Sequence, residues 1–420
     1  MIINALMVFF LSLFVSVTLC RWGLAHLNAR HLSRFGHQVP PVFQGEIDEA
    51  TLVKMSDYTR TSQTFDSREQ VFDDAVTLAV LLSGILPWLT GRILSLQWPF
   101  IPSGLLFFFV LALMSTVLGL PFTLYRTFGI ERAFGFNTMT PRLWVTDMLK
   151  ELVLSALIFG LLLSVLLAMI SLTPRFWWLI IWIVFALFQL LMIWLYPVVI
   201  APLFNKFEPV KDEALRDAIV ALMNRAGLKT EGVYQIDAGK RSRHTNAYFT
   251  GLGKSKRIVL FDTLISSHST DEIVAVLAHE IGHWQRRHII KQLISMEAIS
   301  LIVFFLVSRA VEWPLLYATF GFSTTIPYVG LLLAAAVFGP FGFFFTPLSA
   351  MIQRKYEREA DDYAFELTGT ARPLCEALKR LARDNLANLH PHPFYAWFYY
   401  SHPALTARIA RLQAMDVHKA

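Results

Sequence analysis

The stretch STDEIVAVLAHEIGHWQRRH, residues 269–288, decides how the chain is read. Ser269 can cap a helix, and Glu272, at the third helical position, can return a hydrogen bond to it, which together make a capping box with acids at the positive helix end. From Ile273 to His288 the segment reads helical without a break. Within it His279, Glu280 and His283 form an HExxH pattern. Histidines four apart lie on one helix face, so both imidazoles can point at one metal ion while Glu280 reaches a water held there. Bound zinc would bring the pKa of that water toward ~7, with Glu280 as general base in the attack on a peptide carbonyl. Two solvated helix histidines would give the same letters without any chemistry.

A catalytic zinc takes three protein ligands and keeps one position for water, so the pattern needs a third ligand. The metzincin continuation would place Gly and His where Arg286 and Ile289 stand, which excludes that class. An intramembrane site is also disfavoured, because the polar run Gln285-Arg286-Arg287-His288 follows directly. A glutamate from a separate helix is the natural candidate, and Gln353-Arg354-Lys355-Tyr356-Glu357-Arg358-Glu359-Ala360-Asp361 supplies two. Glu357 shares a face with Asp361, whose carboxylate could accept the N–H of a liganding histidine. Spacing alone leaves Glu357 and Glu359 open, and a solvated helix with i,i+4 pairs would use the same charges.

Outside these two segments the chain is apolar. Of 420 residues, 55% are hydrophobic and 16% charged, and the mean hydropathy is +0.50, which excludes an ordinary soluble protein. Stretches near 3–23, 71–91, 101–124, 152–172, 176–200, 293–312 and 326–348 are each long enough to cross a bilayer as a helix. The first lacks a basic leader and a small-residue cleavage site, and is expected to be a retained helix. Connections after the first, third and fifth spans carry most of the Lys and Arg, among them Arg30, Arg34, Lys54, Arg126, Arg132, Arg142 and Lys150, against Arg92, Arg175 and Arg309 on the other side. The positive-inside rule then puts the N-terminus outside and the catalytic site and C-terminus in the cytoplasm. Those loops account for the pI of 9.3 without a nucleic-acid partner. Two cysteines, Cys20 and Cys375, cannot form a disulfide framework.

The expected organisation is a five-span membrane region (1–204), a catalytic portion with the HExxH helix (205–292), spans six and seven (293–348) and a second catalytic portion with the third ligand (349–420). The first catalytic portion reads as a helix over 212–226, strands over 232–237, 246–250 and 257–261, and then the capped helix. The second reads as helices over 349–368, 371–388 and 403–415. Between the last two lies His390-Pro391-His392-Pro393, taken as a surface loop rather than an extra metal site. Ionisable residues in or beside spans, Asp73, Asp74, Glu297 and Arg309, would suit either a chamber wall or interhelical pairs.

His279–His283 followed by Glu357–Asp361 resembles the type I CAAX prenyl protease family, multi-span zinc endopeptidases that trim the last three residues of prenylated proteins. The likeness covers almost the whole chain: Pro121, Tyr125, Glu131, Gly135-Phe136-Asn137 and Thr140, the run Ile200-Ala201-Pro202-Leu203-Phe204-Asn205-Lys206-Phe207, Asn246-Ala247-Tyr248-Phe249, the strand from Arg257 to Leu264, and Ser401-His402-Pro403 with Arg408. The family usually has Ser-Arg where this chain has Gln353-Arg354.

The resemblance implies a seven-helix membrane protein whose spans surround a water-filled chamber capped by a gluzincin-like α+β zinc unit. It implies one zinc ion on His279, His283 and Glu357, with Glu280 as base and later acid. It further implies that Asp361 orients a ligand, Arg408 supports it, Asn246 bonds the substrate backbone and His402 stabilises the oxyanion. The expected partners are the bilayer and a peptide or protein substrate, prenylated or hydrophobic near its C-terminus. Alternatives with the same residues are a broader membrane quality-control metalloprotease and a non-enzymatic metal-binding membrane protein, although the latter leaves Glu280 without a task.

Overall fold

The computed structural model describes residues 2–228, 232–250 and 257–417. Among the described residues six helical runs are long and apolar enough to cross a membrane, seven with a bent pair taken as one span. They are α1 (Ala5–Phe35), α2 (Glu49–Leu82) with α3 (Ile85–Ser95), α4 (Phe100–Leu124), α5 (Pro141–Leu172), α6 (Trp177–Leu195) running on into α7 (Ala201–Phe204), and two more described below. The span expected as one helix over 71–91 is broken instead. α2 and α3 meet at 57°, where Gly84 takes a φ of +83° that side chains disfavour.

α4 and α6 both end in wide π-helical turns, Tyr125–Glu131 and Tyr196–Ile200. Pro121 and Pro197, lacking an N–H, sit beside or within these turns and disturb the regular ladder. The first turn delivers Glu131 to the catalytic half. There the Glu131 carboxylate accepts from Tyr58 Oη at 2.9 Å and lies 3.3 Å from His244 Nε2. Asp147 of α5 makes a second tie, accepting from Arg241 Nε and Nη2 at 2.8 and 3.1 Å. Arg241 also donates to Asn205 at 2.9 Å.

The catalytic half holds a four-stranded sheet in the order β1-β2-β4-β3, with β1 Phe207–Pro209, β2 Gly232–Ile236, β3 Ala247–Thr250 and β4 Arg257–Phe261. β2 and β4 are parallel, and the outer strands are antiparallel to them. β1, three residues long, has too little pattern to be read from sequence. On β4 the run Ile258, Val259, Leu260 is fully buried on both faces, the mark of an inner strand, whereas β3 is a sheet edge. α8 (Glu213–Arg225), α9 (Asp262–Ser267) and α10 (Thr270–Gln285) complete this portion.

α10 starts as its sequence requires: Ser269 Oγ accepts from the Glu272 N–H and Glu272 Oε2 accepts from the Ser269 N–H. It does not continue to His288. Arg287 adopts a left-handed φ of +56°, and a new helix, α11 (His288–Val311), leaves as the sixth span. The chain returns through α12 (Pro314–Thr319) and α13 (Pro327–Phe338) into α14 (Gly342–Thr368). The helix read from residue 349 therefore begins at Gly342, and the seventh span runs on directly into the segment that carries Glu357. α15 (Arg372–Asp384), α16 (Pro393–Tyr399) and α17 (Leu405–Val417) finish the fold. α15 stops short of the expected residue 388 because Leu386 turns left-handed at φ +49°. The expected loop over 390–393 leads into α16, with His392 accepting from the Phe394 N–H and His390 bonded to the Gln38 carbonyl.

Leu277, Ala278 and Ile281 of α10 pack in one core with Leu260 of β4, Ala364 of α14, Leu374 of α15, and Ile409 and Leu412 of α17. Among the membrane helices burial is uneven: Phe10, Leu86, Phe107, Leu167, Tyr317 and Leu333 lie in a second core, but elsewhere the spans bury little. Only 6% of the most apolar stretch of the α4 and α6 spans is buried, and none of that of α11. Helices in a solid bundle would each bury a stripe, so α4, α6 and α11 are not packed into one over these stretches.

Candidate metal centre

α10 and α14 cross at Gly282 and Ala360. A Cβ on Gly282 would stand 2.8 Å from the Cα and carbonyl oxygen of Ala360, so only glycine lets the two backbones come this close. The crossing presents His279 and His283 to Glu357 and Asp361. Among the described residues, His279, His283 and Glu357 alone form a group of three with ligand atoms all within 4.8 Å of one another. His279 Nε2 and His283 Nε2 are 3.2 Å apart, and each is 3.3 Å from an oxygen of Glu357.

These donors fit a divalent cation. Tetrahedral zinc with bonds of ~2.0–2.1 Å sets neighbouring ligand atoms about 3.3 Å apart, and two imidazoles with a carboxylate suit it chemically. The His279 Nδ1 lies 2.9 Å from Asp361 Oδ1; it donates there, which leaves Nε2 as a bare lone pair. Glu357 is 6% exposed, and its Oε2 is buried without a hydrogen bond, although His279 Nε2 and Arg408 Nη1 lie 3.3 and 3.5 Å away. Lone pairs crowded together in a buried site call for positive charge between them.

Behind the donors, Arg408 of α17 grips Asp361 with two bonds, Nε to Oδ2 at 2.9 Å and Nη2 to Oδ1 at 2.7 Å. Burial opposes the charge of Arg408, but Asp361, Glu357 and Glu280 outweigh it and keep the guanidinium protonated. Nη2 is also 3.2 Å from His279 Nδ1; both atoms are donors, and Asp361 Oδ1 accepts from each. Glu280 is half-buried beside the group. His402 is exposed, with Nε2 3.3 Å from Glu357 Oε1. Its loop is held by Arg354 Nη1, which donates to the Tyr400 carbonyl at 2.6 Å, and Ser401 Oγ is 2.9 Å from His402 Nδ1. Asn246 is exposed immediately before the edge strand β3, its carbonyl accepting from the Phe261 N–H at 3.1 Å.

The structure thus gathers His279, His283, Glu357, Asp361, Arg408 and His402 around one point, with Glu280 beside them and Asn246 at the sheet edge. Glu359, left open against Glu357 by spacing, is turned away and bonds His288 Nε2 at 2.9 Å instead. Sequence reasoning missed Gly282, Arg354 and His288. For Gly282 there was a signal, a helix-weakening residue inside a well-formed helix; for the other two there was none. Of the four ionisable residues in or beside spans, three make pairs, Glu297 with Gln189, Asp74 with Thr18 and Gln70, and Arg309 with Glu312, while Asp73 makes none among the described residues.

The chain is similar to known proteins along nearly its whole length. Residues 28–206 match a family model described as CAAX prenyl protease N-terminal, five membrane helices, and residues 209–416 match peptidase family M48. CAAX prenyl protease 1 of Saccharomyces cerevisiae is 37% identical over 91% of this chain and 90% of its own length. The human CAAX prenyl protease 1 homolog is 30% identical over 93% and 91%. The crystal structure of S. mikatae Ste24p superposes with a TM-score of 0.91 at 34% identity, covering 97% of this chain and 99% of that one.

Proposed function

The chain belongs to peptidase family M48 with the CAAX prenyl proteases, and we propose that it is a zinc endopeptidase cutting near the C-terminus of prenylated substrates. The observation that carries this reading is the spacing of the His279, His283 and Glu357 donor atoms at 3.2–3.3 Å. Those three residues would hold one zinc ion, which when bound supplies Lewis acidity to the scissile carbonyl and to an attacking water.

The chain's own residues then divide the work. Glu280 takes the proton of the attacking water and passes it to the departing amine. His402, on the open side of Glu357, donates to the oxygen that gains charge at the scissile carbon. Asp361 holds the His279 proton on Nδ1, and Arg408 keeps Asp361 ionised and in place. An extended substrate adds to the exposed edge of β3, with the Asn246 side chain fixing its register. The relatives named for CAAX prenyl proteolysis support a prenylated tail as the preferred substrate. The charge bias of the loops supports a cytoplasmic catalytic face and C-terminus.

Glu280→Gln tests the mechanism. The purified variant should keep wild-type zinc by metal analysis and lose peptide cleavage by a factor of at least about 10³; comparable activity would refute the assignment. Assaying the wild type on a matched pair of prenylated and unprenylated peptides tests specificity. Equal kcat/KM on both would favour a broader quality-control role with the same chemistry.

A further inference from the structure

The two histidines of α10 are held in different ways. His279 rests on the charged pair Asp361–Arg408. The outer nitrogen of His283 meets another imidazole: its Nδ1 is 3.0 Å from Nδ1 of His288, and His288 Nε2 is 2.9 Å from Glu359 Oε2. His288 is 1% exposed and stacks on Tyr356 at 4.2 Å between centroids, 14° from parallel. Tyr356 and Glu359, three apart, share a face of α14 that is not the face of Glu357 and Asp361.

The break between α10 and α11 makes this contact possible. Had α10 run on unbroken, His288, five residues past His283, would point about 140° away from it around the axis. The left-handed Arg287 turns the chain so that His288, first residue of α11, folds back against His283.

We propose that His288 and Glu359 form a second orienting chain of the metal centre, fixing the tautomer and ring angle of His283. The inference rests on His283 being a zinc ligand. If Nε2 of His283 gives its lone pair to the metal, its proton sits on Nδ1 and is donated to His288 Nδ1. The His288 proton then sits on Nε2 and is donated to Glu359. One geometry fixes each proton along the line, and His288 stays neutral. His288 is a positioning residue: it acts through His283.

The test compares His288→Phe, which keeps the stack on Tyr356 but accepts nothing, with His288→Asn, whose Oδ1 can replace the Nδ1 acceptor. The readout is zinc affinity of the purified full-length protein by chelator competition, with cleavage as a second measure. His288→Phe should weaken zinc binding by about 10- to 100-fold, the usual cost of losing such an outer partner, and His288→Asn should recover most of it. Glu359→Gln should have a smaller effect in the same direction. Wild-type affinity in His288→Phe, or an Asn variant weaker than the Phe one, would overturn the proposal and leave His288 a packing residue. His283→Ala separates the premise: if it binds zinc like the wild type, the metal-centre reading fails, whereas if it loses zinc while His288→Phe keeps it, only the orienting chain fails.

Discussion

In the membrane half, the most apolar stretch of α11 has no buried residue, whereas Leu277, Ala278 and Ile281 of α10, one helix earlier, are completely buried. These neighbouring helices are stabilised by different solvents. α11 answers to lipid, which accepts any apolar side chain of helical length. α10 answers to neighbours packed against it atom by atom, where a methyl group too many has nowhere to go. Tolerance to substitution should therefore rise once the chain passes His288 into the apolar length of α11.

The sharpest break of that contrast is at Gly282. An added methyl meets backbone atoms of Ala360 at 2.8 Å, and backbone cannot rotate out of the way. Gly282→Ala should push α14 back and pull Glu357 and Asp361 from the histidines, costing at least about 100-fold in zinc affinity, since it disturbs a ligand and its outer support together. Metal analysis with chelator competition measures this. Unchanged zinc affinity would mean that the crossing is looser than it stands here.

Next in size is a paired truncation. Leu277→Ala removes a fully buried side chain and should cost about 2–5 kcal/mol. Leu161→Ala on α5, where the residue is 66% exposed, should cost under about 1 kcal/mol. Thermal unfolding in one detergent checks both. Similar losses would show that the membrane half is packed as tightly as the catalytic core.

The same contrast explains what could be read from sequence. Length and hydropathy suffice to find spans, because the bilayer imposes one thickness on all of them. They miss the break at Gly84, which the apolar pattern does not register. α10 was legible from its capping box and HExxH spacing, both local. Glu357 and Asp361 shared a face in sequence; spacing left Glu357 and Glu359 open, the family resemblance pointed to Glu357, and the crossing at Ala360 supplies the physical reason, whereas His288 needed the turn at Arg287. A pattern that assumes a continuous helix puts His288 on the wrong side. Contacts across tens of residues leave no trace in one sequence unless a backbone constraint, such as a glycine in a helix, marks them.

The smallest effect lies at the seam between the halves. His244 is 3.3 Å through Nε2 from Glu131, at the end of the fourth helix, and 2.9 Å through Nδ1 from Asn385 Oδ1. Asn385 is fixed in that orientation, since its Nδ2 donates to Thr245 Oγ1 at 3.1 Å and its Oδ1 also accepts from the Thr245 N–H. Both ring nitrogens of His244 therefore face acceptors, which only the imidazolium can satisfy. Burial depresses its pKa, but the bonds to Glu131 and Asn385 outweigh burial and raise it above the ordinary value. A raised folded-state pKa gives stability that is complete below the unfolded value of ~6.5 and fades as pH climbs through the folded one. The side chain is 37% exposed, so solvent screening keeps the contribution on the order of 0.5 kcal/mol. The difference in unfolding temperature between wild type and His244→Gln should be greatest near pH 6 and shrink toward pH 8. A difference that grows with pH would mean that His244 is neutral and the seam is held by packing on Phe136, whose ring lies 3.9 Å from the imidazole.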